Sequence, residues 1–201
     1  MGEDSRQKII MAAIELFGDK GYGSTSIADL LSRTQLHSGS LYHFFPGKQD
    51  VLVAVLEAYR DGIEHWLLGP AWAGVADPIE RIFALLQFYR TALVESDCTF
   101  GCPIGSLALE LHEPDPKVRE LLAVNFSGWT DAIERCLGAA GARLPAGIDQ
   151  RELAELVLAV MEGAVMQART HRDIAYFDRS IAALKRHFDL IIAPAGEYST
   201  A

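Results

Sequence analysis

"TSIADLLSRTQLHSGSLYHFFPGK", residues 25–48, decides how the rest of the chain is read. Thr25 or Ser26 can cap a helix, Asp29 stands three residues after Ser26, and Ile27, Leu30 and Leu31 fall on one face. That helix lasts only two turns before "QLHSGS" interrupts it. "GSLYHFF" then supports a second short helix whose Leu41, Phe44 and Phe45 turn inward, and Pro46 and Gly47 end it.

Outward in the N-terminal direction, residues 6–19 place Ile10, Ala13, Ile14 and Phe17 at i, i+3, i+4 and i+7, one apolar face of a longer helix that stops at "KGYGS". Two short helices joined by a tight turn and braced by a longer one have the geometry of a helix-turn-helix. The second helix of such a unit fits a DNA major groove, which is ~12 Å wide. Docking there needs small residues where the backbone approaches, which Ser38, Gly39 and Ser40 supply, and donors around them. His37, Tyr42, His43 and Lys48 can each hydrogen-bond a phosphate oxygen or a base edge, and Thr25 and Ser26 offer hydroxyls at the preceding helix start. A bland helix-to-helix turn with surface histidines fits the same local pattern. A metal site does not: six residues separate His37 from His43, and no Cys or carboxylate completes a cluster at ligand spacing, so neither metal nor cofactor is expected.

The chain carries a formal net charge of −9, which argues against coating nucleic acid or membrane through bulk charge. The acids are unevenly placed: the first 50 residues hold five Lys or Arg (Arg6, Lys8, Lys20, Arg33, Lys48) against six acids, so the N-terminal quarter is the part suited to a polyanion. No apolar run approaches the ~18 to 20 residues that span a bilayer, and "MGEDSRQK" is not a secretory leader, so no membrane partner and a cytoplasmic location are the default expectations. Three cysteines, Cys98, Cys102 and Cys136, are too few and odd in number for a disulfide framework.

Downstream the period stays helical. "KQDVLVAVLEAYRDGIEHWLL" opens a long helix, a Gly, Pro and Ala-rich connector covers 69–76, and Asp77-Pro78 and Asp115-Pro116 read as helix starts with proline in the first turn. "CPIGSLALELHE", "DQRELAELVLAVMEGAVMQARTHRD" and "AYFDRSIAALKRHFDLIIA" complete the series. With no alternating strand pattern of useful length, the fold class is all-α with about nine helices. The expected organisation is a helix-turn-helix domain over 1–47, a helical domain over 48–193 and a disordered tail over 194–201.

The residues "IIMAAIELFGDKGYGSTSIADLLSRTQLHSGSLYHFFPGKQDVLVAVLEAY" resemble the N-terminal domain of the tetracycline-repressor (TetR) family of bacterial transcriptional regulators. The match lies in "A…LF…KGY", the "T-S-I-A-D" start, the "G-S-L-Y-H-F-F" helix and the following "GK…L", in order and at the right spacing. The resemblance implies a homodimer that reads a palindromic DNA operator, a repressor released by a small-molecule effector. It implies that Tyr42, His43 and Lys48 mainly touch phosphates and that Ser38, Gly39 and Ser40 approach the groove. His37 stands where the family usually has a serine or threonine cap, and Ser38 where lysine or arginine is frequent.

"FGCPIGSLALEL" is similar to a subset of the family with a "GC…LALE" segment. An effector cavity needs apolar and aromatic walls with a few polar groups. Trp66, Phe83, Tyr89, Phe126, Trp129 and Met161 are the candidate walls, with Cys102, Ser106, Glu162 or Gln167 as polar handles for an apolar or aromatic effector; ordinary core packing is the competing reading for each. The dimer interface is expected on the last two helices, through Ala159, Gly163, Ala164 and Ala168 and through Ile181, Leu184, Phe188 and Ile191, with intrachain burial the alternative for half of them. Cys98 and Cys102, four apart, raise a redox switch, against which Gly101 and Pro103 place the pair across a loop and a helix start. The rivals from other classes are an all-α enzyme, for which no nucleophile-elbow, metal-ligand or phosphate-loop motif is present, and a helical dimerisation module without DNA binding.

Overall fold

A computed structural model describes residues 2–192, and the tail expected at 194–201 lies outside them. Among the described residues the chain is helical throughout, without a strand. The helices are α1 (Gly2–Lys20), α2 (Ile27–Thr34), α3 (Ser38–Phe44), α4 (Lys48–Ile63), α5 (Gly69–Trp72), α6 (Pro78–Glu95), α7 (Pro103–Glu110), α8 (Pro116–Ala140), α9 (Gln150–His171) and α10 (Ala175–Ile191). No helix among them is long and apolar enough to cross a membrane.

The chain divides into two compact units: one comprises the residues up to Gly62 together with Cys102–Phe126, the other Ile63–Gly101 and the residues from Ser127 on. The first unit therefore reaches beyond residue 47. Its core explains why: Ile9, Ile10, Ala13 and Phe17 of α1, Leu30 of α2, and Leu41 of α3 with the adjoining Phe45 share one buried cluster with Val51, Leu52, Val55 and Leu56 of α4, Leu107 of α7, and Val118, Leu121 and Leu122 of α8. A two-turn helix cannot bury enough apolar surface to hold itself, so α2 and α3 depend on this cluster. Asn125 is buried there with its amide satisfied, its Nδ2 donating to the carbonyls of Leu56 at 3.0 Å and Leu121 at 2.8 Å.

In the second unit α10 packs on α9, and both contact α6. Asp77 caps α6, accepting from the N–H groups of Ile79 (2.9 Å) and Glu80 (3.0 Å), with Pro78 in the first turn as the sequence indicates. The connector expected over 69–76 is shorter than that. α4 is followed by a π-helical turn at Glu64–Leu68 and then α5, because the N–H of Gly69 donates to the carbonyl of Glu64. A Cβ on Gly69 would come within 2.8 Å of that carbonyl oxygen, so glycine is what lets the widened turn close.

The dimer-interface expectation needs correcting at four positions. Ala164 (2 % exposed), Ala168 (0 %), Leu184 (4 %) and Phe188 (1 %) are buried within the chain itself, facing the intrachain core. Ala159 is exposed, Gly163 and Ile181 are partly exposed, and nothing lies within 4 Å of where a Cβ on Gly163 would sit. The reason is helical phase: residues four apart share one face, so the set at 164 and 168 points inward together.

Candidate nucleic-acid interface

α2 begins with a complete capping box. Ser26 Oγ accepts from the Asp29 N–H at 3.1 Å, and Asp29 Oδ2 accepts from the Ser26 N–H at 2.7 Å and from its hydroxyl at 2.6 Å. Lys20 Nζ lies 2.9 Å from the same carboxylate oxygen. The Ser26 bonds and the Lys20 ammonium hold the Asp29 carboxyl well below the usual carboxylate range. Ser26 is thus committed to the cap in the free protein. α2 ends at Gln35, whose left-handed backbone (φ 57°) turns the chain while its Nε2 donates to the carbonyl of Ser32.

His37 occupies the cap position of α3 with extended backbone (φ −76°, ψ 150°), and its side chain makes no cap hydrogen bond. Its carbonyl takes the Ser40 N–H at 2.9 Å. Leu41 and Phe45 are 0 % and 3 % exposed and anchor the helix, whereas His37, Ser38, Gly39, Tyr42 and His43 face outward, with Ser40 partly exposed. The His43 ring meets Phe44 edge-on at 4.8 Å, which limits its freedom. A Cβ at Gly39 would meet nothing within 4 Å, so the fold itself does not require a glycine there.

Two of the expected contact residues have other partners. Thr25 is 1 % exposed, and its hydroxyl donates to the carbonyls of Gly21 (2.8 Å) and Leu16 (3.3 Å), so it offers no side-chain contact to a ligand. Lys48 reaches back from α4: its Nζ donates to the carbonyls of Tyr22 (2.9 Å) and Thr25 (3.0 Å) and sits 4.2 Å over the Tyr22 ring. The loop between α1 and α2 is therefore held on its carbonyl side by a cation. On its amide side it is held by Glu110, the last residue of α7, whose Oε2 accepts the Tyr22 N–H at 2.9 Å and whose Oε1 accepts the Gly23 N–H at 2.6 Å. Burial first, then the charges of Glu110 and Asp50, raise the pKa of the Tyr22 hydroxyl, which keeps it neutral. Tyr22 also packs edge-on to Phe17 at 5.3 Å. Glu110 is the functional candidate that sequence reading did not single out: it lies 88 residues from Tyr22, and only the "GYG" loop, glycines where a carboxylate must come close, hints at it.

The candidate effector residues fall in both units. Cys102, Ser106 and Phe126 belong to the first; Trp66, Phe83, Tyr89, Trp129 and Met161 belong to the second. Met161 (0 % exposed), Trp129 and Tyr89 are buried, Phe83 and Ser106 are partly buried, and Trp66 is exposed. Among the described residues, the buried indole N–H of Trp129 has no hydrogen-bond acceptor. In the second unit a cleft of about 350 Å³ opens between α6 and α10, lined by Phe83, Leu86, Phe177 and Ile181, with Lys185 and the ion-paired Arg90 and Asp178 (2.7 Å) at its polar side. All three cysteines are buried free thiols, and burial raises the pKa of Cys98 and Cys136, which disfavours the reactive thiolate.

Comparison with known proteins agrees with this geometry. Residues 9–55 match the family model of bacterial regulatory proteins of the tetR family, and residues 78–183 match that of the LmrA/YxaF-like transcriptional regulator C-terminal domain. The chain is 28% identical over 170 residues to the HTH-type transcriptional regulator YxaF of Bacillus subtilis, covering 85% of this chain and 87% of that one. It is 22% identical over 181 residues to the HTH-type transcriptional repressor DhaR of Mycobacterium sp. strain GP1, covering 89% of each. The crystal structure of a TetR regulatory protein from Rhodobacter sphaeroides superposes with a TM-score of 0.81 at 26% identity, covering 91% of this chain and 98% of that one. With a helix-turn-helix held at Thr25–Lys48 and both halves matched, the chain belongs to the TetR family of transcriptional regulators, with a C-terminal domain of the LmrA/YxaF-like kind.

Proposed function

We propose that the chain is a repressor that binds a palindromic DNA operator as a homodimer and is released by an apolar or aromatic small molecule. The observation that carries the DNA-reading part is the division of α3 into two faces: Leu41 and the adjoining Phe45 are locked into the core, while Ser38, Gly39, Tyr42 and His43 stand exposed together. Gly39, which the fold does not require, gives the backbone of α3 its approach to base edges, with Ser38 and Ser40 beside it. Tyr42 and His43 hold phosphates, and His37 is placed to reach a base edge. Repression rather than activation is supported by the similarity to the transcriptional repressor DhaR. Such a role belongs in the cytoplasm.

The partner copy docks on α9 and α10: on α9, Ala159 and Gly163 remain at the surface on the same helix face as the exposed Leu156 (42 %) and Met166 (47 %), and on α10 Ile181 remains partly exposed. An effector releases DNA only if it binds the non-binding conformer more tightly. Trp129 supports an effector site in the second unit, since an unsatisfied buried N–H costs ~1–3 kcal/mol and a ligand acceptor relieves it.

The test is selection of duplexes from a randomised pool by the full chain, followed by gel shift. Enrichment of one palindrome, with binding weakened by Tyr42→Ala and His43→Ala, is the expected result. A pool that stays random while the protein remains a folded dimer would leave a helical dimerisation module in place of a DNA reader.

A further inference from the structure

We propose that Glu110 is a positioning residue for DNA binding: from the end of α7 its carboxylate fixes the α1–α2 loop, and through it the start of α2 and the whole helix-turn-helix. This rests on the DNA-reading role proposed above.

Four observations converge on Glu110. Its two oxygens divide between two consecutive amides, those of Tyr22 and Gly23, at 2.9 and 2.6 Å, a two-point grip that sets the direction as well as the position of the loop. The loop is shaped around it. A Cβ would come within 3.1 Å of Glu110 Oε2 at Gly21, which also has φ +86°, and within 2.9 Å of Oε1 at Gly23. The grip also runs against helix electrostatics: a carboxylate on the final residue of α7, with no basic residue in that turn, faces the negative end of the helix dipole. Finally, α7 lies within residues 78–183, the stretch matched by the C-terminal family domain, yet it folds in the same compact unit as the reading helices. α7 thus brings a residue of the C-terminal family domain into direct contact with the DNA-reading module, and Glu110 is where that contact fixes the backbone leading into α2.

The sign of the effect separates positioning from bulk electrostatics. Removing a carboxylate from a protein that binds a polyanion strengthens binding by relieving repulsion. Loss of a positioning group weakens it. The experiment measures affinity for a duplex selected by the wild-type chain, amide hydrogen exchange at Tyr22 and Gly23, and thermal stability, for Glu110→Gln, Glu110→Ala, Gly23→Ala and the Glu110→Ala/Gly23→Ala pair. Gly23 lacks positive φ, so alanine is allowed there, and with Glu110 present the methyl of Gly23→Ala pushes the carboxylate off the amides.

Expected are faster exchange at both amides, affinity about tenfold weaker for Glu110→Ala and less so for Glu110→Gln, as loss of charge-assisted bonds implies, and weaker binding for Gly23→Ala. The pair should be no worse than Glu110→Ala alone, since the clash and its target vanish together. Should Glu110→Ala fail to fold, Glu110→Gln and Gly23→Ala decide in the same way. Variants that bind as tightly as the wild type, or tighter, overturn the role of Glu110 while leaving the DNA-reading role intact. A wild-type chain that selects no duplex overturns both.

Discussion

Lys48→Met separates two roles that one lysine can have in a helix-turn-helix. In this structure the Lys48 ammonium donates to two loop carbonyls, at 2.9 Å to Tyr22 and 3.0 Å to Thr25, and lies 4.2 Å over the Tyr22 ring. Methionine keeps the length and helix preference of the side chain and removes only the charge and its three donors. A hydrogen bond from a charged donor contributes ~1.5–3 kcal/mol and an exposed cation–π contact ~0.5–1 kcal/mol. Both bonds are only part-buried, so the combined loss is about 2 kcal/mol, roughly 4–8 °C in Tm for a chain of this size. A lysine that instead contacts phosphate leaves a different mark: removing one contact per protomer lowers the slope of log K against log salt by ~0.9 per phosphate, ~1.8 for a dimer. Differential scanning calorimetry and a salt series of anisotropy titrations against a selected duplex measure the two effects. We expect lower Tm with the salt slope unchanged. Unchanged Tm with the slope reduced would refute the assignment of Lys48 to the loop.

Three further outcomes follow from the geometry. Asp29→Asn should flatten the acid limb of the stability curve: the folded carboxyl titrates well below the ordinary 3.8, so its contribution is present above that pH and disappears as pH falls below it. Acid titration followed by circular dichroism checks this, and an acid midpoint identical to wild type would contradict it. Gly69→Ala should destabilise by ~1–3 kcal/mol because its methyl meets the Glu64 carbonyl oxygen at 2.8 Å, a shift readable in thermal melts. Native-state labelling of Cys98 and Cys136 with a disulfide reagent should be slow, their thiols being buried with raised pKa, and mild oxidant should leave DNA binding unchanged; rapid labelling with loss of binding would restore the redox reading.

The sequence was most informative where local chemistry is self-contained. Ser26 and Asp29 form a capping box because both partners lie within one turn, and Leu41 and Phe45 are buried because their spacing on a two-turn helix leaves no other inward face. Asp77-Pro78 is legible for the same reason. Direction and distance were not legible. The charge of Lys48 reads equally well as a phosphate contact or a loop brace, and only packing against Tyr22 separates them. Thr25 and Ser26 are both hydroxyls at a helix start, yet one is 1 % exposed and bonded to backbone, while the other caps. The small residues of α9 mark a close approach without saying against what, and Ala164 and Ala168 face the intrachain core. Glu110 ends the "GC…LALE" segment, but nothing local to that segment marks its role, because its partners in the "GYG" loop are 87 and 88 residues away.

The central claim, that the N-terminal end of α3 meets DNA, is tested most directly by Gly39→Leu. A Cβ at this position meets nothing within 4 Å, so the fold accommodates the side chain, and leucine is the better helix former by roughly 1 kcal/mol. Anisotropy titration of a selected duplex, alongside a thermal melt of the same preparation, should show Tm unchanged or slightly higher with specific binding abolished. Tm unchanged with full operator affinity would mean that α3 does not enter the groove.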